Sequence, residues 1–476
     1  MKNVKALFVC SMTINIGSPC VLDKSQVLYY NIYVTNSNTE FVMKDYGQIL
    51  QYARDNDIKF VSLAFCDIFG NQKNICVMPE ELPRIFENGI SFDASDIPGF
   101  TDKESVSCLL FPEPETMTLL PWSNSGEKEL HLFCDIRHTD GSPFESDLRH
   151  VLKRAVEKLL SLGYECKVGI ESEFYLFKCD EDGNPTRTPL DNAGYMDISP
   201  RDKGGDIRRE ICLTLGEMGI KPQSSQHKRG PGQNEIDFRY SSAVTAVDNY
   251  ITYRSVVKTL AAKHGLFASF MPKPFPDKSG SGMHFHVSLY RNGKNVFLTE
   301  RGVAESFIEG VLTYIDEITM FMNPLTNSYA RFGSFEAPKY IAWSNTNRSQ
   351  LVRIPASPDV NKRIEIRSAD PSCTPYAALA LLLNAGIYGI EHSLPVRNPI
   401  EQTLYKAPCG ITDGLASLPN SLYEAVEIGA SSVFVRSVLP EYAVETYVAE
   451  KQKECMSYLQ SDDKTEYELE KYFDTV

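Results

Sequence analysis

The sequence predicts an α+β protein in two parts, and three stretches point to it. Just after residue 42, "DYGQILQYARDN" and "KFVSLAFCDIFGNQKNICVMP" read as one helix followed by two strands. At "SPFESDLRHVLKRAVEKLLSLG" the pattern becomes a long amphipathic helix, which marks a change of region. Beyond it lie several short strands whose charged and imidazole residues fall at every second position.

In chain order, the first 42 residues open with "MKNVKALFVCSMTINIGSPCVL", lysines beside a short apolar run. Ser11, Thr13 and Asn15 interrupt that run and no Ala-x-Ala site follows, so a poorly ordered extension is expected rather than a secretion signal. The first helix places Tyr46, Ile49, Leu50 and Ala53 on one stripe, and the two strands after it should join at Gly70-Asn71. The long helix carries Leu148, Val151, Leu152, Ala155, Val156, Leu159 and Leu160 at helical spacing, with Gly163 as its expected stop. A small α+β domain at 43–142 and a larger domain at 143–476 therefore divide just before that helix. "YAALALLLNAGIYGI", from Tyr376, is too short to span a bilayer comfortably and follows a run of charges, so it reads as a buried helix.

The composition, 42% hydrophobic and 23% charged over 476 residues, is that of an ordinary globular chain with a large core. A formal charge of -14 argues against nucleic acid or an anionic membrane as the main partner, because phosphates would be repelled over most of the surface. No G-x-x-x-x-G-K-[ST] loop is present. The twelve cysteines are scattered without a C-x-x-C pair; they signal neither zinc nor a disulfide framework and fit a reducing cytoplasm.

Four strands carry the chemistry. "IESEFYLF" puts Glu171 and Glu173 on one face, "NEIDFRY" does so for Glu235, Asp237 and Arg239, "MHFHVSL" for His284 and His286, and "RIEIRSAD" for Arg363, Glu365 and Arg367. A single such strand is ordinarily the solvated face of an antiparallel sheet. Four together crowd carboxylates that repel one another, a cluster made tolerable by hard divalent cations or raised pKa values. Arginines beside carboxylates and histidines suit metal-assisted phosphoryl transfer.

The segments "GSGMHFHVSL", "GPGQNEIDFRY", "NRSQLVRIP" and "RIEIRSADPSCTPY" resemble the signatures of type I glutamine synthetase, and "SFDASD" resembles its ammonium-site loop. The resemblance runs from about Met43 to the end, in the family's order. It implies a small ubiquitin-like (β-grasp) N-terminal domain, then a curved antiparallel sheet backed by helices, with ATP as co-substrate, Mg2+ or Mn2+, glutamate, and ammonium or an amine. It also implies a dodecamer of two stacked hexameric rings, in which Asp93 of one subunit completes the site of its neighbour. By resemblance, Glu171, His284 and Glu365 hold the metal on the ATP phosphates, Glu173 and Glu235 hold the metal nearer glutamate, and His286 contacts phosphate. Arg331, Arg348 and Arg367 grip glutamate and the moving phosphoryl group, Gly280 lies at the substrate, and Arg353 and Arg363 serve the nucleotide. Asp93 takes the proton of ammonium, and Glu336 in "FEAP" closes over the intermediate.

This sequence departs from the family at one telling place. The family reads His-His-Glu before the Gly-Pro-Gly turn, with that Glu as third ligand of the glutamate-side metal; here stand Gln226, His227 and Lys228. An ammonium cannot coordinate a divalent cation. Ser279 also stands where the family commonly has Asn, and the Arg331–Glu336 loop is one residue shorter. Three readings remain open at this stage: a ligase in which Lys228 points away or substitutes its charge for one cation, a catalytically impaired relative with a regulatory or structural role, and an unrelated metal hydrolase.

Overall fold

The computed structural model describes residues 46–122, 127–356, 361–407 and 410–476. The expected N-terminal extension lies outside these residues. The N-terminal region runs α1 (Tyr46–Asp55), β1 (Ile58–Cys66), β2 (Gln72–Val77), α2 (Leu82–Asn88), β3 (Ile90–Asp93), β4 (Ser107–Pro112), β5 (Thr118–Leu120) and β6 (Lys128–His138). Its strands lie in the order β2-β1-β6-β4-β3, with β5 also on β6, and β1 runs parallel to β6. The predicted helix and strand pair are present, β1 and β2 joining antiparallel around Gly70. Ile49 and Ala53 are buried as their stripe requires, whereas Tyr46, at the end of α1, stays 57% exposed and rests against Phe86.

The larger region opens with α3 (Leu148–Ser161), β7 (Glu165–Cys179), β8 (Pro185–Pro189), α4 (Gly205–Glu217), β9 (Pro222–His227), β10 (Gln233–Phe238) and β11 (Ser241–Ser242). It continues with α5 (Ala243–Lys263), β12 (Leu266–Ser269), β13 (Met283–Arg291), β14 (Lys294–Asn295), α6 (Val296–Thr299) and α7 (Arg301–Met322). Next come β15 (Trp343–Ser344), β16 (Val352–Arg353), β17 (Ile364–Ile366) and α8 (Pro375–Glu391). Four helices close the chain: α9 (Leu422–Ser431), α10 (Val433–Val438), α11 (Glu441–Gln460) and α12 (Lys464–Tyr472).

The second sheet runs β15-β16-β17-β13-β7-β10-β9, antiparallel except where β15 meets β16. The long strand β7 is its spine, since β8, β10, β11, β12 and β13 all pair with it. Helix α8 is buried along most of its length and packs against α7 and α3. No helix among the described residues is long and apolar enough to cross a membrane.

Helix α3 buries Leu148, Val151, Leu152, Ala155 and Leu159 and stops at Gly163, as its spacing predicts. Val156 is only half-buried and Leu160 is 50% exposed, so the apolar stripe is narrower than expected. Its buried face also contains a charge. The Arg149 guanidinium donates to Asp248 of α5 at 2.8 and 3.0 Å, to Asp135 of β6 at 2.9 Å and to Glu113 at 2.8 Å. Tyr376 of α8 donates to the same Asp248 carboxylate at 2.5 Å. One fork therefore ties the N-terminal sheet to the helices behind the second sheet.

Arg149→Met is expected to lower stability by about 3–5 kcal/mol, because it leaves the buried Asp248 carboxylate without its counter-charge. Chemical denaturation reads this as a lower midpoint; Glu113→Gln, at a partly exposed carboxylate, should cost less.

Candidate active site

The strand register brings the four charged faces into one band. Across β7 and β10, Glu173 faces Glu235 and Glu171 faces Asp237. Across β13, His284 faces Glu171 and His286 faces Glu365 of β17. Because side chains alternate, these residues share one face of the sheet. They line a cavity of about 620 Å³, together with Arg331, Arg348, Arg353, Arg363, Arg367, Ser279, Gly280 and Glu336; His286 lies beside it, next to Glu171. Arg239 does not join them: it follows the last residue of β10 and is exposed. Asp93 does not line the cavity of its own chain; it is exposed, held by the amide and hydroxyl of Ser95, and those bonds lower its pKa.

At one end of the band, Glu171 Oε1 lies 2.8 Å from His286 Nε2, and His284 Nδ1 lies 3.4 Å from Glu171 and 3.3 Å from Glu365. Ligand atoms of Glu171, His286 and Glu365 lie within 4.8 Å of one another. Sequence reasoning put His284 in that trio and His286 on phosphate; the structure places both imidazoles at Glu171. Burial alone would raise the pKa of both glutamates, but His286 beside Glu171, and Arg367 beside Glu365, with His284 near both, hold them well below the usual carboxylate range. Arg353 and Arg367 also donate to the two oxygens of Glu365. This donor set fits a hard divalent cation.

At the other end the arrangement is different. Lys228 does not point away: its Nζ lies 3.0 Å from Glu173 Oε1 and 2.9 Å from Glu235 Oε2. Glu173 Oε2 accepts from the Gly282 amide at 2.7 Å and from Gln233 at 3.4 Å, and Glu235 Oε1 accepts from Gln226 at 2.5 Å. The ammonium thus occupies the position between Glu173 and Glu235 that a shared divalent ion would take. One ammonium shared by two carboxylates offsets only one of them. Burial raises both, and Lys228 brings Glu173 below its ordinary value, while Glu235, with Asp237 and Glu171 also near, is pushed up to about 7.

The arginines answer these acids. Nε of Arg331 and Nε of Arg367 are buried without a hydrogen-bond partner among the described residues. Buried charged donors left open beside a cavity suit an anionic ligand. Gly280 lies so close to Arg331 that an added Cβ would meet its Cγ at 2.7 Å and the Pro272 carbonyl oxygen at 2.6 Å. Tyr175 donates to the Ser279 carbonyl and fixes the same turn.

Over the mouth lies the loop that ends at Glu336. Phe335 and Glu336 both adopt positive φ, 48° and 71°, a conformation that non-glycine residues hold only when surroundings enforce it. Arg229 donates to the Glu336 carboxylate at 2.9 Å and Arg367 to its carbonyl at 3.1 Å. Sequence reasoning gave no role to Arg229 or Gln226. The alternation of β9 was the available signal, because Ser224 faces Asp237 and Gln226 faces Glu235. His227 falls on the other face, buried and bonded to Asp191.

The chain matches the family described as glutamine synthetase, catalytic domain, over residues 145–472, and the one described as glutamine synthetase, beta-grasp domain, over 57–139. It is 41% identical over 423 residues to the glutamine synthetase of Clostridium saccharobutylicum, covering 86% of this chain and 95% of that protein. The chain belongs to the glutamine synthetase family. The glutamine synthetase of Staphylococcus aureus strain MW2 is likewise 41% identical, over 413 residues, covering 85% of this chain and 93% of that one. Among solved structures, the GmaS/ADP complex superposes with a TM-score of 0.79 at 27% identity, covering 90% of this chain and 99% of that one. Plasmodium falciparum glutamine synthetase shares the fold at TM-score 0.78, 22% identity and the same coverage. The β-grasp region and helix-backed sheet that the signature segments imply are thus those of this family, whose members use ATP and a divalent metal.

The contact between Arg229 and Glu336 can be tested directly. Arg229→Ala is expected to speed amide hydrogen exchange at Gly333 and Ala337, whose bonds to Ala337 and Ser334 close the loop, while β7 stays protected.

Proposed function

We propose that this chain is an ATP-dependent ligase that joins the γ-carboxylate of glutamate to ammonia or an amine through γ-glutamyl phosphate. The observation that carries the reading is one cavity lined by Glu171, His284 and Glu365, a donor set suited to a cation, and by Arg331, Arg348, Arg353, Arg363 and Arg367, whose charges are fixed. In the first step a glutamate oxygen bonds to the γ-phosphorus and the bond to the ADP oxygen breaks. In the second, the nitrogen attacks the γ-carbonyl carbon, phosphate leaves, and a carboxylate takes the proton.

The roles follow from charge and place. Glu171, His284 and Glu365, with His286 beside them, would hold a divalent ion, Mg2+ or Mn2+, which when bound neutralises phosphate oxygens. Arg353 and Arg363 serve the nucleotide, and Arg348, Arg367 and Arg331 stabilise the moving phosphoryl group and the glutamate beside Gly280, fixed charges that need no reorganisation in the transition state. Glu336 closes the mouth and keeps water from the acyl phosphate. Asp93 sits away from its own cavity, so it acts from a neighbouring subunit, in two stacked hexameric rings. We place the division between the two regions near residue 142 and the protein in the cytoplasm.

Phosphate release from ATP with glutamate, tested with ammonium and then a panel of amines, decides the reading and its acceptor. Release that depends on glutamate, with amide found by mass spectrometry, is the expected result; no release with any acceptor overturns it. Asp93→Asn should abolish amide formation while ATP binding, measured by calorimetry, stays unchanged, since the nucleotide contacts come from the second sheet.

A further inference from the structure

We infer that Lys228 is the built-in cation of the glutamate end, so that this enzyme runs on one tight divalent site with an ammonium in place of the second. The inference rests on the ligase reading above. It comes from the position of the ammonium between the two carboxylates. The ammonium lies 3.0 Å from Glu173 and 2.9 Å from Glu235, hydrogen-bond distance from both at once. The other oxygen of each acid is taken by Gly282 and Gln233 or by Gln226. Each oxygen of the pair thus has a protein donor, and the space between the two acids, where a shared divalent ion would sit, holds a cationic group instead.

The surroundings fix the lysine in that role. Its amide donates to the Gln233 carbonyl at 2.8 Å, and the Gly230 amide donates to the Gln233 side chain at 2.8 Å, so the turn that carries it is closed. Its Nζ also lies 5.8 Å from the centre of the Tyr195 ring. Gln226, opposite Glu235 on β9, adds a neutral donor that a carboxylate awaiting a metal would not need.

An ammonium has three N–H donors, and two of them meet Glu173 and Glu235. The third is left for an oxygen of the substrate carboxylate or of the phosphoryl group in the same cavity, making Lys228 a catalytic residue of the phosphoryl-transfer step. Because this cation is covalently part of the chain, the charge at the glutamate end is constant across metal concentrations.

The test is the number of Mn2+ ions per subunit, counted by electron paramagnetic resonance on the full chain titrated with MnCl2, with and without ADP. One tight ion in the parent, and a second gained in Lys228→Glu, is the expected result. Lys228→Met should stay at one ion and lose turnover by about 100-fold, as removal of a preorganised charge does. Two equally tight ions in the parent, or an anomalous Mn2+ peak between Glu173 and Glu235 in soaked crystals, overturns the assignment, and the parent count decides even where a variant fails to fold. A folded Lys228→Glu that still binds one ion, or a Lys228→Met that keeps full turnover, also overturns it. A parent that makes amide while binding two tight ions removes this inference and leaves the ligase reading standing; one tight ion and no amide with any acceptor removes the ligase reading and with it the catalytic role of Lys228, leaving only the single-site count.

Discussion

Crowded carboxylates repel, and the catalytic half of this molecule is organised around offsetting that repulsion. At about 4 Å, two like charges cost roughly 4 kcal/mol near a protein surface, and more as water is excluded. Glu171, Glu173, Glu235, Asp237 and Glu365 stand together on one face, and each has a donor set against it. Glu171 has the two imidazoles, Glu365 has Arg353 and Arg367, Glu173 and Glu235 share Lys228, and Asp237 accepts from Ser224. These pairings require the observed register. A slip of one residue in β10 or β13 would turn the acids or imidazoles into the apolar layer behind the sheet and leave their partners unmatched. The spine strand β7 presents Glu171 and Glu173 to neighbours on both sides, so the site and the sheet specify each other.

Much of this was legible in the sequence because period-two alternation is a strong signal when charge and apolarity alternate together. The faces of β7, β10 and β13 were readable for that reason, and the buried helix α8 was readable from an apolar run that only Asn384 interrupts. What escaped depends on distant partners. Arg149 sits next to Leu148 in an apolar stripe, and nothing local announces that Asp248, Asp135 and Glu113 converge on it. The two histidines of β13 were distinguishable only by resemblance, whereas in space both meet Glu171. Arg239 shares the parity of Glu235 and Asp237 yet leaves the band, because β10 ends at Phe238 and alternation has no force beyond the strand.

The buried fork of Arg149 has a consequence for the site it does not touch. Helices α5 and α8 lie behind the second sheet, and the N-terminal strand β6 is bound to both through Asp135, Arg149, Asp248 and Tyr376. A buried charge with its partners in place is more exacting about geometry than about energy, since losing either side leaves an uncompensated ion. Asp93 is carried by the same N-terminal sheet, so its place relative to the second sheet is set by this junction.

The adjacent residues Lys228 and Arg229 divide two tasks that the rest of the cavity depends on. Following β9, successive side chains diverge: Lys228 reaches down to Glu173 and Glu235, and Arg229 reaches up to Glu336 on the loop over the mouth. The turn that follows, Gly230-Pro231-Gly232, is short, and Gly232 takes a positive φ of 66° where its backbone packs against the Leu176 carbonyl of β7. Tyr195 lies near both cations, 5.8 Å from one and 5.4 Å from the other. The four-carbon stem of Lys228 and the guanidinium of Arg229 thus leave one short segment in opposite directions, and a single turn positions both the cation between the acids and the partner of Glu336.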